Sequence, residues 1–258
     1  MSYPVKVTFL GTGTSQGVPV IGSNHPVCLS ENPKDKRLRS SILVTIDDVN
    51  IVVDTGPDFR QQMLRAGVTH LEAVLFTHEH KDHTAGLDDI RPFNFRQKRD
   101  MDVFAEPSVQ DALKREFQYI FADDKYPGVP KVKLHDIQNE PFQVWGKEVI
   151  PIRVLHYKLP VFGFRFGNFT YITDANKITE AEKEKIRGSK VLVLNALRKE
   201  PHISHFTLQE AIDLVQELEV EKAYFTHISH ILGFHDEVSK ELPKNCFLAY
   251  DGLEILVD

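Results

Sequence analysis

The sequence predicts an α+β fold in which two sheets pack face to face, helices cover their outer faces, and a site lies at the strand ends. Strand-like runs outnumber helical ones, and the two types are interspersed along all 258 residues. Apolar runs end repeatedly in a residue able to hold a metal: Asp54, His78, His156, Asp174 and His227. The stretch Thr77-His78-Glu79-His80-Lys81-Asp82-His83-Thr84-Ala85-Gly86 then sets three imidazoles and a carboxylate within six positions, directly after the apolar run Ala73-Val74-Leu75-Phe76. Imidazole and carboxylate suit first-row divalent ions. Consecutive side chains splay to different sides, so one such loop can reach two ions. A solvated polar loop that happens to contain histidines is the plainer alternative, and four ligand-type residues at this spacing disfavour it.

The elements follow from the patterning. Residues 5–10 alternate apolar and polar (Val5, Val7, Phe9 against Lys6, Thr8), the period of a half-buried strand. Gly11-Thr12-Gly13-Thr14-Ser15-Gln16-Gly17 ends it, either as a loop whose amides approach an anion or as a flexible connection. Residues 19–39 form an irregular excursion with Ser23, His25 and Cys28. Two strands meet in a hairpin at Asp47-Asp48, and residues 59–66 have helical spacing closed by Gly67. Residues 108–119 read as a helix with Ser108 as N-cap. Residues 121–130 read as a Pro/Gly-bearing loop, a candidate flap. Strands follow at 149–154, 161–166 and 169–172, then a polar helix at 179–186 and a buried strand at 191–194. Thr207 with Glu210 three residues on is a capping box opening an amphipathic helix. The tail reads as a hairpin turning at Asp251-Gly252. With no repeat, linker or low-complexity stretch, residues 1–258 are expected to form one domain.

Composition narrows the function classes. A chain 41% hydrophobic can bury a sizeable core. A net charge of -6 excludes a globally basic nucleic-acid surface, leaving only local patches such as Arg91, Arg96, Lys98 and Arg99. Two cysteines, Cys28 and Cys246, make no disulfide framework. The first residues, Met1-Ser2-Tyr3-Pro4-Val5-Lys6, lack the apolar segment of a signal peptide, and no apolar run has the length of a membrane span. The expectation is a soluble cytoplasmic protein.

These residues carry a resemblance. Thr77-His78-x-His80-x-Asp82-His83, preceded by Asp54 and followed by His156, Asp174 and His227, resembles the metallo-β-lactamase fold over nearly the whole chain. The resemblance implies a four-layer αβ/βα sandwich with two divalent metal ions between the sheets. One ion would be held by His78, His80 and His156, the other by Asp82, His83 and His227, with Asp174 bridging and Asp54 supporting the loop from behind. Leu10-Gly11-Thr12-Gly13-Thr14-Ser15, Gly17-Val18-Pro19, Cys28, Arg37-x-Arg39-x-Ser41, His205, Thr226-His227-x-Ser229-His230 and Ala249-Tyr250-Asp251-Gly252-Leu253 are similar to the phosphoribosyl cyclic phosphodiesterases of bacterial phosphonate degradation. That likeness implies a small phosphodiester or nucleotide as substrate, often a dimeric enzyme, and a general-acid or phosphate-contacting role for His205. Relatives carry Cys-x-Cys-x-x-Cys in the early excursion as part of a structural zinc site. Here the pattern reads Ser23-x-His25-x-x-Cys28. A retained zinc would have only His25, Cys28 and His230, one ligand short of the usual four. Without it, Cys28 becomes a small buried hydrophobe.

The mechanism implied is attack on phosphorus by a hydroxide held between two ions, zinc or manganese with iron also suited. Asp174 sets the metal separation, Asp82 adds negative charge at the second site, and His205 protonates the leaving alkoxide. The competing expectations are a tRNA 3′-processing nuclease, a thioester or lactam hydrolase of the same fold, and a non-catalytic metal-binding protein. The first would need a basic arm absent from this acidic chain, and the last should lack a ligand. Arg37 and Arg39 would meet substrate phosphate or form ion pairs at a sheet edge.

Overall fold

A computed structural model describes residues 4–124 and 126–258. Within the loop read as a flap, Lys125 lies outside the described residues, as do Met1, Ser2 and Tyr3. The first sheet takes β1 (Val5–Gly11), β2 (Ser41–Ile46), β3 (Val49–Val53), β4 (Ala73–Leu75), β5 (Met101–Ala105) and β6 (Val132–Asp136). The second takes β7 (Phe142–Val144), β8 (Lys147–His156), β9 (Leu159–Phe166), β10 (Phe169–Tyr171), β11 (Lys177–Ile178), β12 (Val191–Asn195), β13 (Lys222–Thr226) and β14 (Cys246–Leu248), and β15 (Glu254–Val257) returns to the first. Among the described residues the orders are β15-β1-β2-β3-β4-β5-β6 and β11-β8-β9-β10-β12-β13-β14, with β7 pairing off the path to β8. Each sheet is antiparallel over its first strands and parallel over its last three junctions. The halves repeat one topology, strand for strand, which no sequence repeat announced.

Alternation along the strands builds the middle layer. Val7, Phe9, Val44 and Val53 of the first sheet meet Phe162, Phe164, Phe166, Tyr171 and Val193 of the second in one buried cluster. The opposite face of the first sheet packs Val52 and Val74 on Phe59 and Met63 of the helix Phe59–Ala66 and on Val109 and Leu113 of the helix Pro107–Glu116. The opposite face of the second packs on the helices Leu208–Glu217 and His235–Glu241. Leu208, Ala211, Ile212 and Val215 recur at helical spacing and are buried. The capping box holds: Thr207 Oγ1 accepts the Glu210 N–H and Glu210 accepts the Thr207 N–H, worth about 1 kcal/mol. The result is the expected four-layer sandwich. No helix among the described residues is long and apolar enough to cross a membrane.

Two expectations are corrected. The helix expected to be capped by Ser108 begins at Pro107, whose fixed φ suits the first helical position. The tail is not a hairpin, because β14 pairs with β13 in the second sheet and β15 with β1 in the first. Asp251 is the crossing point. Its oxygens accept Thr12 N–H, Thr12 Oγ1–H and Leu38 N–H, all from the other end of the chain.

Arg37 and Arg39 are committed internally. Arg39 pairs with Asp58. Arg37 is buried and donates to Thr12 Oγ1, to the Ala249 carbonyl and to His235 Nδ1 at 3.1 Å. A guanidinium can only donate, so His235 Nδ1 is the acceptor and the ring is neutral. Burial, then Arg37 and Lys34, lower the His235 pKa to about 4 against the partial opposition of Asp236 and Asp35. The unfolded chain takes up this proton near pH 6.5 and the folded chain does not. This contribution is therefore complete above pH 6.5 and is lost as pH falls towards 4. Urea midpoints measured from pH 7.5 to 4.5 should fall, and His235→Gln should lessen the fall; an identical slope in the variant would contradict the assignment.

Candidate metal centre

The site is built where strands of both sheets stop. Asp54 follows β3, His78 follows β4, His156 ends β8, Asp174 follows β10 and His227 follows β13. Asp54, Asp174 and His227 have φ of 65°, 53° and 55°. This left-handed conformation is uncommon outside glycine, though Asp and His tolerate it better than most residues. It breaks the in-and-out alternation of the strand at its last step. The metal loop is locked to the turn after β3 by close approach: a Cβ on Gly56 would run into the Asp82 carbonyl, and one on Gly86 into the Gly56 carbonyl. The Gly86 N–H donates to the Thr55 carbonyl at 2.8 Å.

Behind the loop, hydrogen bonds fix each ring. Asp54 Oδ2 accepts from His83 Nδ1–H at 2.7 Å and from Thr77 Oγ1–H at 2.8 Å, and Asp54 Oδ1 accepts the Thr77 N–H. With its own proton given to Asp54, Thr77 Oγ1 accepts from His78 Nδ1–H at 2.9 Å. His156 Nδ1–H donates to the Ser204 carbonyl at 2.9 Å. Each bond leaves an Nε2 lone pair facing inward, the arrangement by which outer partners orient metal-binding imidazoles. His227 is turned the other way, with Nε2 3.2 Å from Thr14 Oγ1 and Nδ1 inward.

The inward atoms form groups whose members lie within 4.8 Å of one another: His78, His80 and His156; Asp82, His83, Asp174 and His227; and His156, Asp174 and His205. Asp174 faces two of these at once. Its Oδ1 lies 3.4 Å from His83 Nε2 and 3.0 Å from His227 Nδ1, while Oδ2 lies 3.9 Å from His78 Nε2. Yet the buried His83 Nε2 and His227 Nδ1 have no hydrogen-bond partner. Imidazole and carboxylate atoms gathered this closely, with ring nitrogens left without a hydrogen bond, suit divalent cations.

Electrostatics agrees with this fit. Burial would raise Asp174, but His227 and His83 hold its carboxyl well below the usual carboxylate range. Burial pulls His83 down, but Asp174, Asp54 and Asp82 outweigh it and hold the ring well above its ordinary value. Burial, followed by His83, pushes His78 well below. His83 thus sits among the carboxylates of Asp54, Asp82 and Asp174, an excess of negative charge that metal ions would balance.

His205 is buried, with its ring centroid 4.6 Å from that of His156 and 4.8 Å from that of His227. Burial and then His227 lower its pKa to about 3. His202 lies against its outer side, centroids 5.2 Å apart. Of the residues named for a structural zinc, His25 and His230 lie together, ring centroids 4.9 Å apart. His25 Nδ1 accepts the Val27 N–H, Cys28 Sγ accepts the Val20 N–H within a small cluster of Val18 and Val27, and no group of three close ligand atoms among the described residues contains His25, Cys28 or His230. The Gly/Thr loop does not offer all its amides to an anion: those of Gly13 and Thr14 donate to the Leu38 and Ile228 carbonyls. Sequence reasoning missed Thr14, Thr77 and Asn195, which brace the ligands from behind; Asn195 pairs through both amide atoms with the Ala175 backbone beside Asp174. Hydroxyl and amide side chains this common carry no signal until their partners are known.

The sequence pattern of a β-lactamase superfamily domain matches residues 49–228. A crystal structure of a new diphosphatase from the PhnP family superposes with a TM-score of 0.92 at 39% identity, covering 98% of each chain. An octanoyltransferase of Porphyromonas gingivalis is 39% identical over 257 residues, 98% of this chain and 52% of its own length. A ribonuclease Z of a Bradyrhizobium species is 29% identical over 168 residues, 62% of this chain and 49% of its own. The chain thus spans about half the length of the curated relatives it matches.

Replacing Asp54 by Asn keeps the shape and tolerates the left-handed backbone, but removes the charge behind His83. Metal affinity, measured by competition with a chromophoric chelator, should fall by roughly 10- to 100-fold; wild-type affinity in this variant would rule out the orienting role.

Proposed function

The chain belongs to the PhnP family of the β-lactamase superfamily, a hydrolase of the metallo-β-lactamase fold, and from this premise we propose that it is a dinuclear, metal-dependent phosphodiesterase. Its substrate is a small diester, cyclic or nucleotide-like. The observation that carries this reading is the position of His205, an imidazole stacked on His227 and tilted against His156, beside both groups of inward-facing ligands.

In this reading His78, His80 and His156 would hold one ion, and Asp82, His83 and His227 the other. Asp174, whose two oxygens face different groups, would serve both. Ions so held would acidify a bound water towards neutrality and neutralise the non-bridging phosphate oxygens. The remaining work falls to side chains of the chain itself. Thr77, Asp54 and the Ser204 carbonyl keep the imidazoles in one tautomer and one orientation. Asp82, largely buried beside His83, adds negative charge at the second site. Burial, then His227, depress the His205 pKa; the negative charge of a bound phosphate would oppose that shift and favour the proton that the leaving alkoxide needs.

The alternatives have weaker support. A tRNA-processing nuclease needs cations free to meet phosphates; of the local patch, Arg91 pairs with Asp88 and Arg99 with Glu72 and Asp102, which leaves the exposed Arg96 and Lys98. The name octanoyltransferase belongs to a protein with about as much chain again beyond the match.

General-acid catalysis contributes about 10²–10⁴-fold. His205→Ala should therefore retain its metal and lose activity of that order on alkyl diesters, with a much smaller loss on bis-p-nitrophenyl phosphate, whose leaving group scarcely needs a proton. Equal losses on both substrates would count against the acid role.

A further inference from the structure

A cavity of about 620 Å³ opens beside His80 and His156, in the size range of sites for nucleotide-sized ligands. Two large apolar side chains stand on its walls, Tyr157 at 52% exposure and Ile203 at 70%. Neither is loosely hung. Tyr157 directly follows the ligand His156 with φ of 58°, a conformation that for a bulky residue is a genuine outlier. Asn176 holds it there: Asn176 Oδ1 accepts the Tyr157 N–H at 2.7 Å, while Asn176 Nδ2 donates to the Ile203 carbonyl at 3.1 Å. The bond from His156 Nδ1–H to the Ser204 carbonyl makes a second brace between the same two segments. Lys158 Nζ lies 5.2 Å from the Tyr157 ring centroid, and the cavity lining carries both this positive charge and the carboxylate of Glu79.

A tyrosine in the left-handed region and an exposed isoleucine, joined through one asparagine, line the same cavity as the metal ligands His80 and His156. We propose that Tyr157 and Ile203 clamp the planar base of a nucleotide substrate, with its phosphate directed at His80 and His156. This rests on the phosphodiesterase reading and narrows it: the diester carries a nucleobase and is not a bare sugar phosphate. Stacking on an aromatic side chain tolerates any base, so the clamp selects for a base without selecting which one.

The test uses the metal-loaded protein, 2′,3′-cyclic AMP, and glycerol 1,2-cyclic phosphate, which has no base. The wild type should show a KM about ten-fold lower for the nucleotide, the scale of one stacking contact. In Tyr157→Ala and Ile203→Ala the ratio of the two KM values should collapse towards one with little change in kcat, and Tyr157→Phe should restore it. No preference in the wild type, or an unchanged ratio in Tyr157→Ala, would overturn the clamp. If neither diester is hydrolysed, the phosphodiesterase reading fails on its own. Calorimetric binding of adenosine monophosphate then decides the clamp: about ten-fold weakening in Tyr157→Ala upholds it, and equal affinity overturns it.

Discussion

The buried carboxylate of Asp54 is the point from which the centre is oriented. Burial raises its pKa, and the bonds from His83 and Thr77 work against that rise. An ion in this position is expensive unless it is paired and hydrogen-bonded. Here each bond that satisfies it also fixes something else. The Thr77 N–H joins the end of β4 to the end of β3, the Thr77 hydroxyl passes the orientation on to His78, and His83 is fixed directly. The three bonds thus connect sheet pairing to imidazole tautomer.

The ligands come from both halves of the molecule. The loop after β4 supplies His78, His80, Asp82 and His83, and the strand ends of the second sheet supply His156, Asp174 and His227. Between them lies a dry layer of phenylalanine and valine that holds the sheets together without specifying the spacing of their rims. Ions bound across that rim would couple the two sheets, and metal affinity would then appear as folding stability. The wall that bears Tyr157 and Ile203 belongs entirely to the second sheet and its loops.

Much of this was legible because the informative residue types are chemically distinctive and stand where apolar runs stop. His78, His80, Asp82, His83, His156, Asp174 and His227 could be read together, and so could the four layers. His205 could be singled out only through resemblance. What could not be read depended on partners far away in the chain. The tail looked like a hairpin because Phe247 to Val257 alternates around Asp-Gly, but Asp251 is held by Thr12 and Leu38, more than two hundred residues earlier. The repeated topology of the two sheets left no trace, because matching backbone paths require only matching apolar patterns. Tyr157 reads as an unremarkable residue until Asn176 and Ile203 are placed against it.

The left-handed residues at the strand ends have a consequence for evolvability. Each such residue costs of order 1–3 kcal/mol, and Asp54, Tyr157, Asp174 and His227 together hold a sizeable part of the stability of an ordinary domain. Glycine at any of them would relieve the backbone and remove the chemistry. Selection for thermal robustness alone would therefore pull this chain away from its function at the positions where the function resides. Drift in a copy released from its function should first be visible there, as glycine replacing left-handed residues while the four layers persist.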